Sequence, residues 1–161
     1  MNVLPGDRRP VEDVELRNLF DFADLPAVVV PAIPAAQQLA EKLHAYTRDY
    51  GSHENSRTKD LYDMLLMAEE LPVPPLGDLA HVCAQTFALR DTVWPPSLLP
   101  PPADWTQPWA AFVRDYGSRF ESLDAAFDGL LRFWEPVLGD GMNGERDWDQ
   151  SSWGWPRGVR R

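Results

Sequence analysis

The stretch QQLAEKLHAYTRDYGSHENSRTKDLYDM, residues 37–64, decides the fold of the central part of this chain. Its first half carries apolar residues at i, i+3, i+4 and i+7, which is the period of an amphipathic helix. The same period returns in its second half, after a segment at 50–56 whose Gly, Ser and Asn are typical of a loop. The stretch therefore predicts two helices joined by a short loop, which pack against each other as a hairpin.

The segments around this hairpin predict an α+β fold. Further helical periods follow it, so we expect about five helices, at 35–47, 58–71, 76–90, 108–116 and 123–138. Residues 1–34 instead favour short strands and turns, and AVVVPAI (27–33) predicts a buried strand because it is β-branched, apolar and bounded by prolines. Two or three short strands cannot form a stable sheet alone, so we expect them to belong to a larger sheet.

The end of the chain lacks any helical or strand period. Residues 139–161 are rich in Gly, Ser and Asp, and we predict that they form a disordered tail.

Composition limits the classes of protein to be considered. The formal net charge of −10 argues against a protein that wraps duplex nucleic acid by charge alone. The single cysteine, Cys83, falls on an apolar helix face and is expected in the core of a protein from a reducing compartment. No apolar run approaches the roughly 20 residues that cross a bilayer, and no signal peptide is visible, so we expect a cytoplasmic protein with no membrane partner.

Basic residues are concentrated in the hairpin, although the chain as a whole is acidic. Six of them fall within eighteen positions, together with several carboxylates: Lys42, His44, Arg48, His53, Arg57 and Lys59. Helical spacing can bring Lys42 and Arg48 towards Arg57, Lys59 and Asp60, and the first turn of the second helix adds unpaired N–H groups that favour an anion. Cations beside a carboxylate suit phosphoryl or nucleotidyl chemistry, but an ordinary solvated helix pair explains the same spacing. We interpret His44 and His53 as surface residues rather than acid–base catalysts.

The hairpin resembles one known family. LAEKLHAYTR followed by NSRTKDLYDM is similar to the AEKL-A…N-[ST]-R-x-K-D-x-Y-D motif of the AbiEii/AbiGii toxin nucleotidyltransferases. The matching positions are Ala40 to Leu43, Ala45, Asn55 to Arg57, Lys59, Asp60, Tyr62 and Asp63. Weaker similarity extends over about residues 1–138, where the resemblance implies a partial polymerase-β-like domain with strands in 1–34 and helices in 35–138.

The resemblance also implies roles for these residues. Lys42 would contact a nucleoside triphosphate, and Asp60 would be a catalytic or site-organising carboxylate supported by Arg57, Lys59 and Asp63. Packing of the hairpin adds Arg48 to this expected nucleotide-binding set. Many members of the family that this sequence resembles are toxins of toxin–antitoxin or abortive-infection systems, and some transfer nucleotides to tRNA. The expected partners are therefore a nucleoside triphosphate, tRNA or another RNA, and an antitoxin protein.

One part of the family pattern is missing from this sequence. A G-S turn followed by D-x-D, which in such enzymes holds Mg²⁺, does not stand ahead of Lys42, and DFAD (21–24) has the wrong spacing. We therefore expect no complete metal site in this chain, and a truncated enzyme that is inactive alone. The alternative is a non-catalytic module that binds a nucleotide, an RNA or an antitoxin.

Overall fold

The structure is a computed structural model, and it describes residues 11–15, 29–48, 57–139, 141 and 144–156. The predictions for residues 1–4, the loop at 50–56, His53 and DFAD lie outside these residues. Two strands, β1 (Glu12–Glu15) and β2 (Val29–Ala32), pair antiparallel, with Val14 opposite Val30. Five helices follow: α1 (Ala35–Thr47), α2 (Thr58–Glu70), α3 (Leu76–Leu89), α4 (Thr106–Tyr116) and α5 (Leu123–Leu138). The α+β prediction is confirmed.

Burial of the strands differs from the prediction. Val29 and Pro31 are exposed, while Val30 and Ala32 are only half-buried. The described residues place only β1 beside β2, and a two-stranded ribbon has no second layer to cover its faces. The prediction of a buried strand was therefore wrong for Val29–Ala32.

The core lies between the helices. α1 packs on α2 and α3, and α5 packs on α2, α3 and α4. The apolar stripe predicted for α1 faces this core, with Leu39, Ala40 and Leu43 buried. Cys83 is buried as expected, and burial raises the pKa of its thiol.

Helix ends follow local chemistry. α1 and α3 begin directly after Pro34 and Pro75, whose fixed φ suits a helix start. α5 begins at Ser122, whose hydroxyl accepts a hydrogen bond from the Ala125 N–H. Arg57 stands at the start of α2, so that Asp60 falls in the first turn near the positive end of the helix dipole.

The segment at 144–156, which we call the C-terminal strap, packs on the helices. Trp153 and Trp155 are buried, and their indole N–H groups donate to the carbonyls of Gly129 and Phe133 on α5. Trp148 donates to the Ala68 carbonyl on α2 at 2.7 Å. The prediction of a disordered tail over 139–161 is thus wrong for the strap, because its three indoles find apolar surface and acceptors on helices distant in sequence.

Strap carbonyls also complete α3. The N–H groups of Leu76 and Gly77 donate to the carbonyls of Arg146 and Gly144 at 2.8 and 3.0 Å. N–H groups in a first helical turn have no partner within their own helix, so these bonds satisfy donors that otherwise need water.

Candidate functional site

The hairpin brings two lysines onto one carboxylate oxygen. Lys42 Nζ on α1 and Lys59 Nζ on α2 each lie 2.6 Å from Asp63 Oδ2. They are the only lysines in the sequence. The Lys59 contact follows from i, i+4 spacing on one helix, whereas the Lys42 contact spans 21 residues and depends on helix packing.

Asp60 forms the second half of the cluster. Lys42 Nζ lies 3.5 Å from its Oδ1, and the Arg57 guanidinium lies 3.4 Å from its Oδ2. The Asp60 and Asp63 side chains are only 14% and 18% exposed. Three cations around two carboxylates leave a formal charge of 3 − 2 = +1 in a chain of −10.

Hydrogen bonding outweighs burial at Asp63. Partial burial acts to raise the pKa of this carboxyl, but hydrogen bonds and charge from Lys42 and Lys59 act in the opposite direction. The net effect is a lowered pKa, because donation to the ionised form stabilises it. Asp63 is therefore ionised at neutral pH and holds both ammonium groups.

A different face of α1 turns towards α3. Glu41 forms an ion pair with Arg90, and Gln37 donates to Glu41 at 3.1 Å and to the Thr86 hydroxyl at 3.2 Å. Sequence reasoning missed Gln37 and Thr86, although Gln37, Glu41 and His44 follow each other at spacings of four and three, which places them on one face of a helix.

His44 and Arg48 lie on this second face. His44 is only 6% exposed, its ring meets Phe87 edge-on at 5.0 Å, and our interpretation of it as a surface residue was wrong. Arg48 follows the last turn of α1, is exposed, and its charge helps to lower the pKa of His44. The structure thus brings Lys42, Arg57, Lys59, Asp60 and Asp63 together and sets Arg48 beside His44.

Comparison with known families decides what this cluster belongs to. Residues 1–132 match the family model described as nucleotidyl transferase AbiEii toxin of type IV toxin–antitoxin systems. The chain belongs to this AbiEii family. No curated protein matches the chain significantly. The AbiEii match contains the whole cluster, and it ends before the C-terminal strap.

Mg²⁺ does not fit the described part of this AbiEii chain. No group of three or more His, Cys, Asp or Glu side chains converges anywhere in residues 11–15, 29–48, 57–139, 141 and 144–156. Within the cluster, Asp63 Oδ2 already accepts from two ammonium groups, whose charge repels a divalent cation. Divalent ions prefer carboxylates with free oxygens, so the cluster is suited to an anion rather than to a metal.

Among the described helices of this AbiEii chain, none is long and apolar enough to cross a bilayer.

Proposed function

We propose that the α1–α2 hairpin is the nucleotide-binding side of an AbiEii nucleotidyltransferase site. Lys42 contacts the triphosphate, and Asp60 is the catalytic or site-organising carboxylate that orients Lys42 and Arg57. Lys59 and Arg57 complete the phosphate-binding set, Asp63 positions the two lysines of this nucleotide site, and Arg48 contributes from the end of α1. The observation that carries this proposal is the convergence of the only two lysines on Asp63, across two helices and within the family motif.

The cluster can exchange one anion for another. Asp63 holds Lys42 and Lys59 together when no phosphate is near, and the phosphate oxygens of a nucleotide replace its contacts. Pre-arranged cations stabilise the charge that develops on phosphate oxygens without reorganising at the moment of reaction. Lys42 is the residue best placed for this role, because it is held between Asp60 and Asp63 while its side chain keeps contact with solvent.

Transfer requires groups that the cluster does not supply. An acceptor hydroxyl attacks the α-phosphorus, the bond to the β-phosphate oxygen breaks, and pyrophosphate leaves with the electron pair. Full-length relatives of this kind depend on Mg²⁺ held by a D-x-D pair, and we infer that such carboxylates come from outside the residues of this sequence. The 161 residues then bind a nucleotide in the cytoplasm, beside an antitoxin partner and an RNA acceptor such as tRNA, and do not transfer it alone.

Nucleotide binding is tested by titrating GTP and CTP into protein labelled with ¹³C at lysine. Both lysines of the sequence lie in the cluster, so the label reports on the cluster alone, and we expect both sets of signals to shift saturably. Lys42→Ala should weaken binding at least tenfold. Arg132→Ala removes an exposed cation from α5 and serves as the charge-matched control, with less than a twofold effect. Equal losses in the two variants, or no shift of either lysine, would contradict the proposal.

Transfer is tested separately with Mg²⁺, labelled nucleoside triphosphates and tRNA. We expect no label on the RNA with this polypeptide alone. Label transfer that survives purification, and that Asp60→Asn abolishes, would show that the site is complete and would overturn the inference of an incomplete one.

The second candidate function is a binding module without catalysis. It is favoured by the ion pairs of Asp60 and Asp63, which leave neither carboxylate free for a metal. Adding separately expressed N-terminal halves of relatives decides between the two functions. If nucleotide transfer is restored, the protein is one part of an enzyme whose site is completed by a second chain. If the protein still binds the nucleotide but transfers none, it is a binding module.

A further inference from the structure

A groove beside the site has a chemistry that the nucleotide proposal does not use. It encloses about 270 Å³ between α2 and the turn that follows α4. Its lining is aromatic, aliphatic and acidic, and it includes Tyr62, Leu66, Glu69, Glu70, Tyr116 and Phe120. This volume falls just below the range of small-molecule pockets, so it suits a single side chain better than a nucleotide.

Aromatic rings form one wall of the groove. Tyr62 stacks on Phe112 at 5.1 Å, and the ring of Tyr116 lies 6.4 Å from Tyr62. The Tyr62 hydroxyl is already used, because it donates to the Gly117 carbonyl at 2.9 Å. Tyr116 is 74% exposed, so most of its ring stays accessible to a ligand in the groove.

Two carboxylates, Glu69 and Glu70, also line the groove. Neither Glu69 nor Glu70 has an ion-pair partner among the described residues. The pKa of Tyr62 is raised mainly by burial and further by the charges of Asp63 and Glu69.

Arg119 lines the groove but does not neutralise it. Its guanidinium donates to the carbonyls of Gln150 and Ser151 at 3.0 and 3.3 Å and lies over the Trp153 ring, 5.1 Å from the ring centroid. These contacts hold the guanidinium group against the C-terminal strap. Within the described part of the chain, no ion pair joins Arg119 to Glu69 or Glu70.

We propose that this aromatic–acidic groove binds an arginine side chain presented by a basic segment of a partner protein. A guanidinium stacks on aromatic faces and pairs with carboxylates through its planar fork of N–H groups, so a single arginine can contact both kinds of lining residue. An RNA strand does not fit, because its phosphates would face Glu69 and Glu70. Seven residues along α2 separate Asp63 from Glu70, so a bound segment lies about 10 Å from the lysine cluster, on the same helix.

The test follows the four tyrosines by NMR with ring-labelled tyrosine. The probe is a capped Gly-Arg-Gly-Arg-Gly peptide, compared with the same peptide carrying citrulline, the neutral isostere of arginine. We expect saturable shifts at Tyr62 and Tyr116 but not at Tyr46, which is buried against Trp105. The citrulline peptide should bind at least tenfold more weakly.

Variants separate this groove from the general acidity of the chain. Glu69→Gln with Glu70→Gln should weaken binding at least tenfold, and Tyr116→Ala should do so severalfold. The control, Asp128→Asn with Glu135→Gln, removes the same charge from exposed positions on α5 and should change affinity less than twofold. Thermal unfolding of each variant checks that the fold is kept.

Several results would overturn the proposal. Equal weakening by the control pair would show diffuse attraction to an acidic protein, and equal binding of citrulline would show that charge is irrelevant. Shifts at Tyr62 and Tyr116 caused by an oligouridylate, or no saturable shift with the peptide, would also contradict it. If Arg160→Gln with Arg161→Gln moves these signals without any peptide, the occupant is this chain's own basic end and no partner is needed.

Discussion

At the scale of single residues, the cluster is organised by Asp63. This carboxylate accepts from both lysines, while Asp60 accepts from Lys42 and Arg57. Pairs of this kind contribute modestly to stability. Lys59 remains 70% exposed, so Asp63 competes with water for hydrogen bonds from its ammonium group. Their main effect is to position cations.

Replacing Asp63 with Asn should lower the free energy of unfolding by about 1 kcal/mol at pH 7, because two charge-assisted hydrogen bonds weaken. The folded pKa of Asp63 is lowered, so its contribution is present above the unfolded pKa of about 3.9 and is lost as pH falls through the folded value. Urea denaturation at pH 7 and pH 3 should therefore show the difference shrinking with acidity. A difference that grows at low pH, or that Asp128→Asn reproduces, would contradict this account.

His44 should make the fold sensitive to mild acid. Burial lowers its pKa, as do the charges of Arg90 and Arg48, against the opposing charge of Glu41, and its Nε2 is buried without a partner among the described residues. A lowered folded pKa means that the unfolded chain takes up a proton first, so stability falls as pH drops below about 6.5.

The variant His44→Leu should remove that dependence. Leucine keeps an apolar contact with Phe87 and leaves no buried nitrogen unpaired, so we expect equal or higher stability at pH 7 and a flatter profile between pH 7 and pH 5. Denaturant midpoints across this range give the measurement. An unchanged slope in His44→Leu would assign the acid sensitivity to other groups.

At the scale of elements, α5 depends on a glycine that helix propensity disfavours. A Cβ placed on Gly129 would lie 2.4 Å from the ring of Phe120, and that ring packs edge-on against Trp153 at 5.1 Å. The glycine is therefore retained for close packing between α5, the turn before it and the C-terminal strap.

The Gly129→Ala variant tests this packing against propensity. Alanine favours the helix by about 1 kcal/mol, but overpacking against Phe120 costs about 1–3 kcal/mol, so we expect net destabilisation. In a Phe120→Ala background the clashing ring atoms are gone, so Gly129→Ala should raise the free energy of unfolding. Calorimetric melting of the four proteins checks the reversal of sign, and a stabilising effect in both backgrounds would show that the ring moves freely.

At the scale of the whole molecule, the C-terminal strap joins α2, α3 and α5 although the family match ends at residue 132. Trp153 and Trp155 contribute to the same aromatic cluster as Phe133 and Trp148. The strap is thus part of the core on which the hairpin helix α2 packs.

Truncating Trp153 or Trp155 to alanine should therefore lower the free energy of unfolding by about 3–5 kcal/mol, as expected for large buried aromatic residues. Tyr116→Ala, at an exposed aromatic, serves as the control and should change it by less than about 0.5 kcal/mol. Guanidinium unfolding followed by circular dichroism measures both. Small effects at both tryptophans would mean that the strap adds nothing to the core.

Local spacing let the sequence by itself determine the five helices, the α+β class and the pairing of Lys59 with Asp63, because these depend on residues within a few positions of each other. Packing of the predicted hairpin added the expectation that Lys42 comes near Asp60, and the family motif assigned roles to both residues. Only the tertiary structure decided that Lys42 also contacts Asp63, that His44 is buried against Phe87, and that the charge of Arg48 acts on His44.

The C-terminal strap shows the physical reason most clearly. Its Gly-, Ser- and Asp-rich composition has no period, and its order comes from indoles that meet carbonyls as far as 80 residues away. Such contacts gain free energy only after the helices have assembled an apolar surface, so no local pattern in the sequence records them.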